Sequence, residues 1–144
     1  MAKTKRRRQV AALPYRFNED GALEVLLVTS RETGRWVLPK GWPMKRRGLH
    51  KAAAIEAYEE AGIVGKTKKS AIGAYDYEKR TDKGAIPCRV LVYPLPVQDL
   101  KDEWPEQSQR QRVWHDGRTA PDLVEEPSLQ SLLRAFGESQ QLSS

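Results

Sequence analysis

A chain of 144 residues is long enough for one ordinary domain and too short for two. Apolar residues at 39% can bury one sizeable core, while the net charge of +6 points to a polyanionic partner such as a nucleotide, an inositol phosphate or RNA. A single cysteine, Cys88, excludes an intrachain disulfide, two histidines exclude a closed structural zinc site of the usual kind, and no apolar run reaches the length of a membrane span.

Residues 1–8 read as a basic flexible arm, with 9–137 as a single domain and 138–144 as a flexible tail. The apolar run Val10 to Leu13 is too short for a secretory signal, so the expected location is cytoplasmic. Two runs rich in β-branched and aromatic residues, 9–17 and 23–29, flank Asn18-Glu19-Asp20-Gly21 and predict a β-hairpin. Arg35 to Leu38 predicts a short strand closed by Pro39, followed by a polar loop from Lys40 to Gly48. A helix is expected from Leu49 to Ala61, with Gly62 just past its end. Strands are expected at 68–78 and 86–94 around a charged linker. A polar loop follows Pro94, and 112–115 reads as a short strand. Leu129, Leu132, Leu133 and Phe136 recur at helical spacing behind Pro127-Ser128, which predicts a core-packed second helix that frays from Gly137. Cys88 lies in an apolar run and is expected to be a buried thiol. This order of elements suggests a mixed sheet between helices.

The first helix is acidic on one side. At about 100° per residue, Glu59 falls near −60° and Glu60 near +40° from Glu56, so the three carboxylates share a face. Ala54, Ala57, Tyr58 and Ala61 lie opposite and are expected to pack on the sheet, whereas Ala52 and Ala53 are expected to leave space for a ligand. Like charges three and four residues apart, two of them in the last turn, cost an isolated helix ~1 kcal/mol. A divalent cation would reverse the sign of that cost, and hard oxygen ligands suit Mg²⁺ or Mn²⁺. Lys45, Arg46, Arg47, His50 and Lys51 crowd the other end, where anions are favoured, and with Lys40 and Arg31 are candidate phosphate-binding residues.

Leu38-Pro39-Lys40-Gly41 followed by Glu56-Ala57-Tyr58-Glu59-Glu60-Ala61-Gly62-Ile63 resembles the Nudix hydrolase signature, G-x5-E-x7-R-E-U-x-E-E-x-G-U, where U is apolar. The stretches Arg7 to Gly41 and Arg110-Gln111-Arg112-Val113-Trp114 are more loosely similar to the diphosphoinositol polyphosphate and diadenosine polyphosphate hydrolase subgroup. The resemblance implies an α/β fold, a Nudix-like α/β/α sandwich with a mixed β-sheet between helices. It implies a diphosphatase that uses Mg²⁺ or Mn²⁺ to cleave a phosphoanhydride bond in a nucleoside diphosphate derivative, a dinucleoside polyphosphate or a diphosphoinositol polyphosphate. Glu59 and Glu60 would then be metal ligands, Glu56 a further ligand or the base, and a backbone carbonyl at Lys40 or Gly41 would complete the site. Glu59 is also a candidate catalytic residue. Glu103 or Glu106 are candidates for another ligand from the loop after Pro94.

Arg47 stands where the signature has its first Glu, and Ile55 where it has its Arg. These two departures motivate a second reading: a Nudix-fold polyanion- or RNA-binding module with impaired catalysis. Nucleic acid is the less favoured partner, because few aromatics accompany the charges of Lys66, Lys68, Lys69 and the arm. The expected partner is a phosphorylated small molecule, with no role for a membrane.

Overall fold

The computed structural model of the protein describes residues 6–142. Strand β1, Arg7–Phe17, is the centre of the fold. Its run Val-Ala-Ala-Leu-Pro-Tyr is buried throughout, as a strand covered on both faces must be. Alternation along β1 sends Val10 and Ala12 into one core cluster and Ala11, Leu13 and Tyr15 into another. Helix α1, Leu49–Ala61, closes the first cluster and helix α2, Pro127–Leu142, the second. The result is an α/β/α sandwich.

The main sheet runs β3-β2-β1-β7-β6, with β4 also on β1 and β9 also on β2. Here β2 is Leu23–Thr29, β3 is Trp36–Val37, β4 is Lys40–Gly41, β6 is Gly73–Thr81, β7 is Gly84–Pro96 and β9 is Arg112–Asp116. β1 is parallel to β7 and antiparallel to β2 and β4, so the sheet is mixed. β5, Ile63–Val64, pairs antiparallel with β8, Asp99–Leu100, as a separate ribbon. A 3₁₀ turn, Ala120–Leu123, leads into α2.

Several boundaries differ from those expected. Residues 1–5 of the basic arm lie outside the described residues, but Arg7 and Arg8 belong to β1, because β7 extends far enough to pair them with Cys88 and Arg89. Lys40 and Gly41 are a strand rather than the start of a loop. β2 pairs only the C-terminal end of β1, which frees Val10 and Ala11 to pair with Gly41 and Lys40. The β6–β7 hairpin consumes the charged linker, since Thr81 pairs with Gly84 and only Asp82 and Lys83 remain to turn the chain. Residues 68–72 instead track β7 irregularly, with the N–H groups of Lys68 and Ile72 donating to the carbonyls of Pro94 and Val92. α2 continues through Gly137 to Leu142, past the point of expected fraying. A single helical glycine costs only about 1 kcal/mol, and the Glu, Ser and Gln residues after it tolerate helix. Cys88 is buried, as expected.

The rotation of α1 is also a correction. Ala52, Ala53, Ala57 and Ala61 are all buried in the core, while Tyr58 is exposed. The alanines are small enough to bring the helix close to β1, so Ala52 and Ala53 abut the sheet and not a ligand space. Ala53→Leu should therefore overpack this layer and lower stability by about 1–3 kcal/mol in urea unfolding. Unchanged stability would mean that the position opens onto free space.

Candidate active site

The side of α1 that faces the sheet carries a carboxylate among its alanines. Glu60, 4% exposed, is the most buried acidic side chain among the described residues. The backbone N–H of Lys40 donates to it, and Arg110 Nη1 lies 3.6 Å from its Oε1. Glu56 lies one turn earlier, against β4. A Cβ at residue 41 would overlap the Glu56 carboxylate, so only glycine lets that carboxylate rest on the strand backbone. Burial pushes the Glu60 carboxyl up to about 7, opposed by Arg110 and Lys40. Burial also pushes Glu56 up to about 7, reinforced by repulsion from Glu60 and then Glu59.

The C-terminal end of α1 is held by residues distant in sequence. Gly62 adopts the left-handed conformation, φ 66°, and its N–H closes the last turn on the Tyr58 carbonyl at 2.8 Å. Trp104 Nε1 donates to the Glu60 carbonyl at 2.9 Å, and Arg112 Nη1 to the Ala61 carbonyl at 2.7 Å. The Arg112 guanidinium stacks 3.9 Å from the Trp104 ring centroid. These donors, one of them cationic, satisfy the end of the helix where the macrodipole is negative and where Glu59 and Glu60 are least welcome. The Glu106 N–H donates to the Glu59 carbonyl at 3.0 Å, which ties the loop before β9 to the same turn. Arg110, from that loop, donates through Nε to Glu106 Oε1 at 2.9 Å and through Nη1 to the Thr29 carbonyl at 3.0 Å. It thereby sets a cation between Glu60 and Glu106.

A cleft of about 160 Å³ opens beside this cluster, between the β2–β3 turn, β4 and the end of the β6–β7 hairpin. Its cations are Arg31, Arg35, Lys40, Lys79, Arg80 and Arg110, against Glu32 and Glu78. Burial pushes the Lys40 amine below its usual value, and Lys40 Nζ sits 5.1 Å from the Tyr77 ring centroid. Tyr77 in turn donates its hydroxyl to Gln9. Arg35 is braced by Glu126, 2.6 Å from its Nη1.

Of the residues expected from the sequence, Gly41, Glu56 and Glu60 come together, with Glu59 half-buried on the same turn as Glu60. Arg31 and Lys40 line the cleft. Lys45, Arg46 and Arg47 are exposed on the loop before α1 and do not line it. Ile55 is half-buried and Arg47 exposed, so the two departures from the signature leave no buried charge without its partner. Glu106 joins the cluster through Arg110, whereas Glu103 makes no ion pair. Sequence reasoning missed Arg110 as the cation of the site, and Trp104, Arg112, Arg35, Lys79 and Arg80 altogether. The one available signal was the clustering of three acids on one face of α1, which calls for a cation from elsewhere in the chain.

The donors suit a hard divalent cation in kind and in charge. They are carboxylate oxygens, two of them raised to about 7 chiefly by burial, with repulsion from Glu60 and Glu59 adding at Glu56 and from Glu106 at Glu60. They are not a ready-made cage: among the described residues no three His, Cys, Asp or Glu side chains converge as metal ligands.

The family model of the NUDIX domain matches residues 5–134. "Nudix hydrolase 18, mitochondrial" of Arabidopsis thaliana is 33% identical over 115 residues, covering 76% of this chain and 64% of that protein. "Diphosphoinositol polyphosphate phosphohydrolase 2" of Rattus norvegicus is 32% identical over 111 residues, covering 75% of this chain and 57% of the relative. In fold, the chain is similar to an Ap4A hydrolase of C. elegans, with a TM-score of 0.67 at 19% identity, covering 94% of this chain and 98% of that one. An α/β/α sandwich with an acidic helix against its mixed sheet defines a Nudix domain, and this chain belongs to the NUDIX family. It spans 62–66% of the length of the first plant relatives it matches. Among the described residues no helix is long and apolar enough to cross a membrane. The organellar names of the plant relatives lend no support to the expected cytoplasmic location.

Arg110→Met should strand Glu60 without its ion-pair partner and leave Glu106 only the longer contact with Arg31, at 3.8 Å. The expected loss is about 3 kcal/mol by urea unfolding in metal-free buffer well above pH 7, where Glu60 is ionised, and smaller below pH 7, where its carboxyl takes up a proton. A loss below about 0.5 kcal/mol, the level of ordinary surface substitutions, would show that Arg110 does not hold the cluster together.

Proposed function

We propose that this chain is a metal-dependent diphosphatase that hydrolyses a phosphoanhydride bond, with a dinucleoside polyphosphate, a diphosphoinositol polyphosphate or a nucleoside diphosphate derivative as substrate. The observation that carries this reading is the juxtaposition of the crowded carboxylates of α1 with a cleft of six cations. The relatives named for diphosphoinositol polyphosphates and Ap4A support the choice of substrates.

Phosphoanhydrides resist hydrolysis because their anionic oxygens repel a nucleophile. Arg31, Arg35, Lys40, Lys79 and Arg80 can bind those oxygens and orient the diphosphate along the cleft. Arg46, Arg47 and Lys45, outside the cleft, would reach only a substrate that extends beyond it. Glu56, Glu59 and Glu60, with the Gly41 carbonyl, would hold Mg²⁺ or Mn²⁺. Such an ion, when bound, neutralises phosphate charge and lowers the pKa of water. Glu56 or Glu59 accepts the proton of the attacking water, and Gly41 keeps Glu56 against the strand at a fixed height.

Arg110 also favours the second reading, a binding module with impaired catalysis, because it already partners Glu60 and Glu106. The pair Arg47→Glu and Ile55→Arg distinguishes the two. A large gain in turnover supports an impaired site, and no change argues against one.

A screen of dinucleoside polyphosphates, diphosphoinositol phosphates, ADP-ribose and 5′-triphosphate RNA under Mg²⁺ or Mn²⁺ should find hydrolysis. Glu56→Gln should lower kcat by about 10²–10⁴-fold if it is the base. Glu59→Gln and Glu60→Gln should lose most of the metal-dependent activity. Mn²⁺ should raise the Tm of the wild type, by about 2.7 kcal/mol of stability at a hundredfold excess over Kd, and much less in Glu60→Gln. No hydrolysis across the panel together with no metal-dependent shift in Tm would overturn the proposal.

A further inference from the structure

Two stretches of the chain, 33–55 and 61–75, contain no acidic residue. Between them they place seven exposed cations: Lys45, Arg46, Arg47 and Lys51 from the first, Lys66, Lys68 and Lys69 from the second. The stretches are joined in space. Thr67, 9% exposed, donates its hydroxyl to the His50 carbonyl at 2.5 Å, which fastens the loop after β5 to the first turn of α1.

This surface is electrostatically unbalanced. None of the seven side chains makes an ion pair or a hydrogen bond among the described residues; the ion pairs there belong to other cations. Without these seven charges the chain's net charge of +6 would be −1, so the patch holds the entire excess. It is also separate from the cleft, which none of the seven lines. Like charges on neighbouring exposed loops repel one another, and the partner that reverses that cost is a flexible polyanion, which binds with release of its counterions.

Exposed aromatics border the patch. Trp42, 37% exposed, precedes Lys45 by three residues and carries the Arg7 guanidinium 5.0 Å from its ring centroid. Tyr58, 42% exposed, follows Lys51 by seven residues, so it lies within about 20° of Lys51 around the helix and about 10 Å further along it. Phosphate-binding cations beside aromatic faces are what a single strand of nucleic acid requires, one set for the backbone and the other for the bases. A membrane surface would instead call for a broad aliphatic face next to the cations. Among exposed large aliphatics only Ile72 is near them in sequence.

We propose that this face, formed by the loop before α1, the outer side of α1 and the loop after β5, binds single-stranded nucleic acid. Its occupant lies outside the cleft and does not depend on hydrolysis there.

The test is fluorescence anisotropy of short oligo-U and oligo-dT strands on the full chain, in EDTA, over a series of salt concentrations. Binding should weaken steeply with salt. Replacing Lys66, Lys68 and Lys69 by Gln should make the log–log slope shallower by about 2, and so should replacing Lys45, Arg46 and Arg47, at about 0.7 per phosphate contact. Tyr58→Ala should weaken binding about fivefold or more, as loss of a stacking contact does, without altering the slope. These are exposed positions, and circular dichroism should report an intact fold. Glu60→Gln should leave binding as it is, so failure of the hydrolase reading and failure of this one are separable. Preference for oligo-U or oligo-dT identifies RNA or DNA as the source. Unchanged slopes in both triple variants would overturn the proposal. So would binding to phosphatidylserine vesicles with the same slope changes, combined with no effect of Tyr58→Ala on the strands.

Discussion

A buried carboxylate has to be supported, and in this domain the support of Glu60 organises everything nearby. Glu60 occupies the sheet-facing side of α1, where its neighbours on the helix are alanines. Removed from water, it needs support, and it draws it from two sides: the Lys40 backbone N–H on β4 and the positive charge of the Arg110 guanidinium from the loop before β9. Arg110 is itself held in place: its Nε donates to Glu106, and Nη1, the nitrogen that faces Glu60, donates to the Thr29 carbonyl of β2. One acid thus ties together a helix, two strands and a loop.

The same loop removes the other liability of α1. Three acids in the C-terminal half of a helix repel one another and oppose its dipole. Trp104 and Arg112 donate to the last carbonyls, so the helix end meets hydrogen-bond donors and a positive charge where it would otherwise meet only acids. What remains unbalanced is the burial of Glu56 and Glu60, both pushed up to about 7, with repulsion from Glu60 and Glu59 adding at Glu56. Those carboxylates beside a cleft of cations are what the proposed metal and phosphate would bind. The opposite end of α1 is unbalanced in the other direction, with cations that no acid among the described residues pairs.

The central strand makes this geometry possible. β1 is long enough to pair with β7 along most of its length, with β2 at one end and β4 at the other. Its alternating side chains build two cores, and the alanine layer between β1 and α1 keeps the helix near the sheet. Only at that distance does the Glu56 carboxylate rest on Gly41. A bulkier residue at 53 or a Cβ at 41 would disturb the same contact from opposite directions.

The sequence by itself determined the features that depend on local periodicity and spacing. The extents of α1 and of the apolar stripe of α2 follow from residues within a few turns of one another. The meeting of Gly41 with Glu56 follows from their separation in the signature, and the sharing of a helix face by Glu56, Glu59 and Glu60 from about 100° per residue. The tertiary structure decided what depends on contacts between distant segments. It turned α1 so that Ala52 and Ala53 face the sheet and Tyr58 faces outward, because burial depends on where β1 lies and not on the helix pattern alone. It extended β6 and β7 through the charged linker, because ladder hydrogen bonds outweigh local polarity there. It brought Arg110 to Glu60 across 50 residues of chain and left Lys45, Arg46 and Arg47 outside the cleft. A charge in a sequence reveals its sign; which opposite charge it meets is a property of the folded packing, where burial selects among partners that are equivalent on paper.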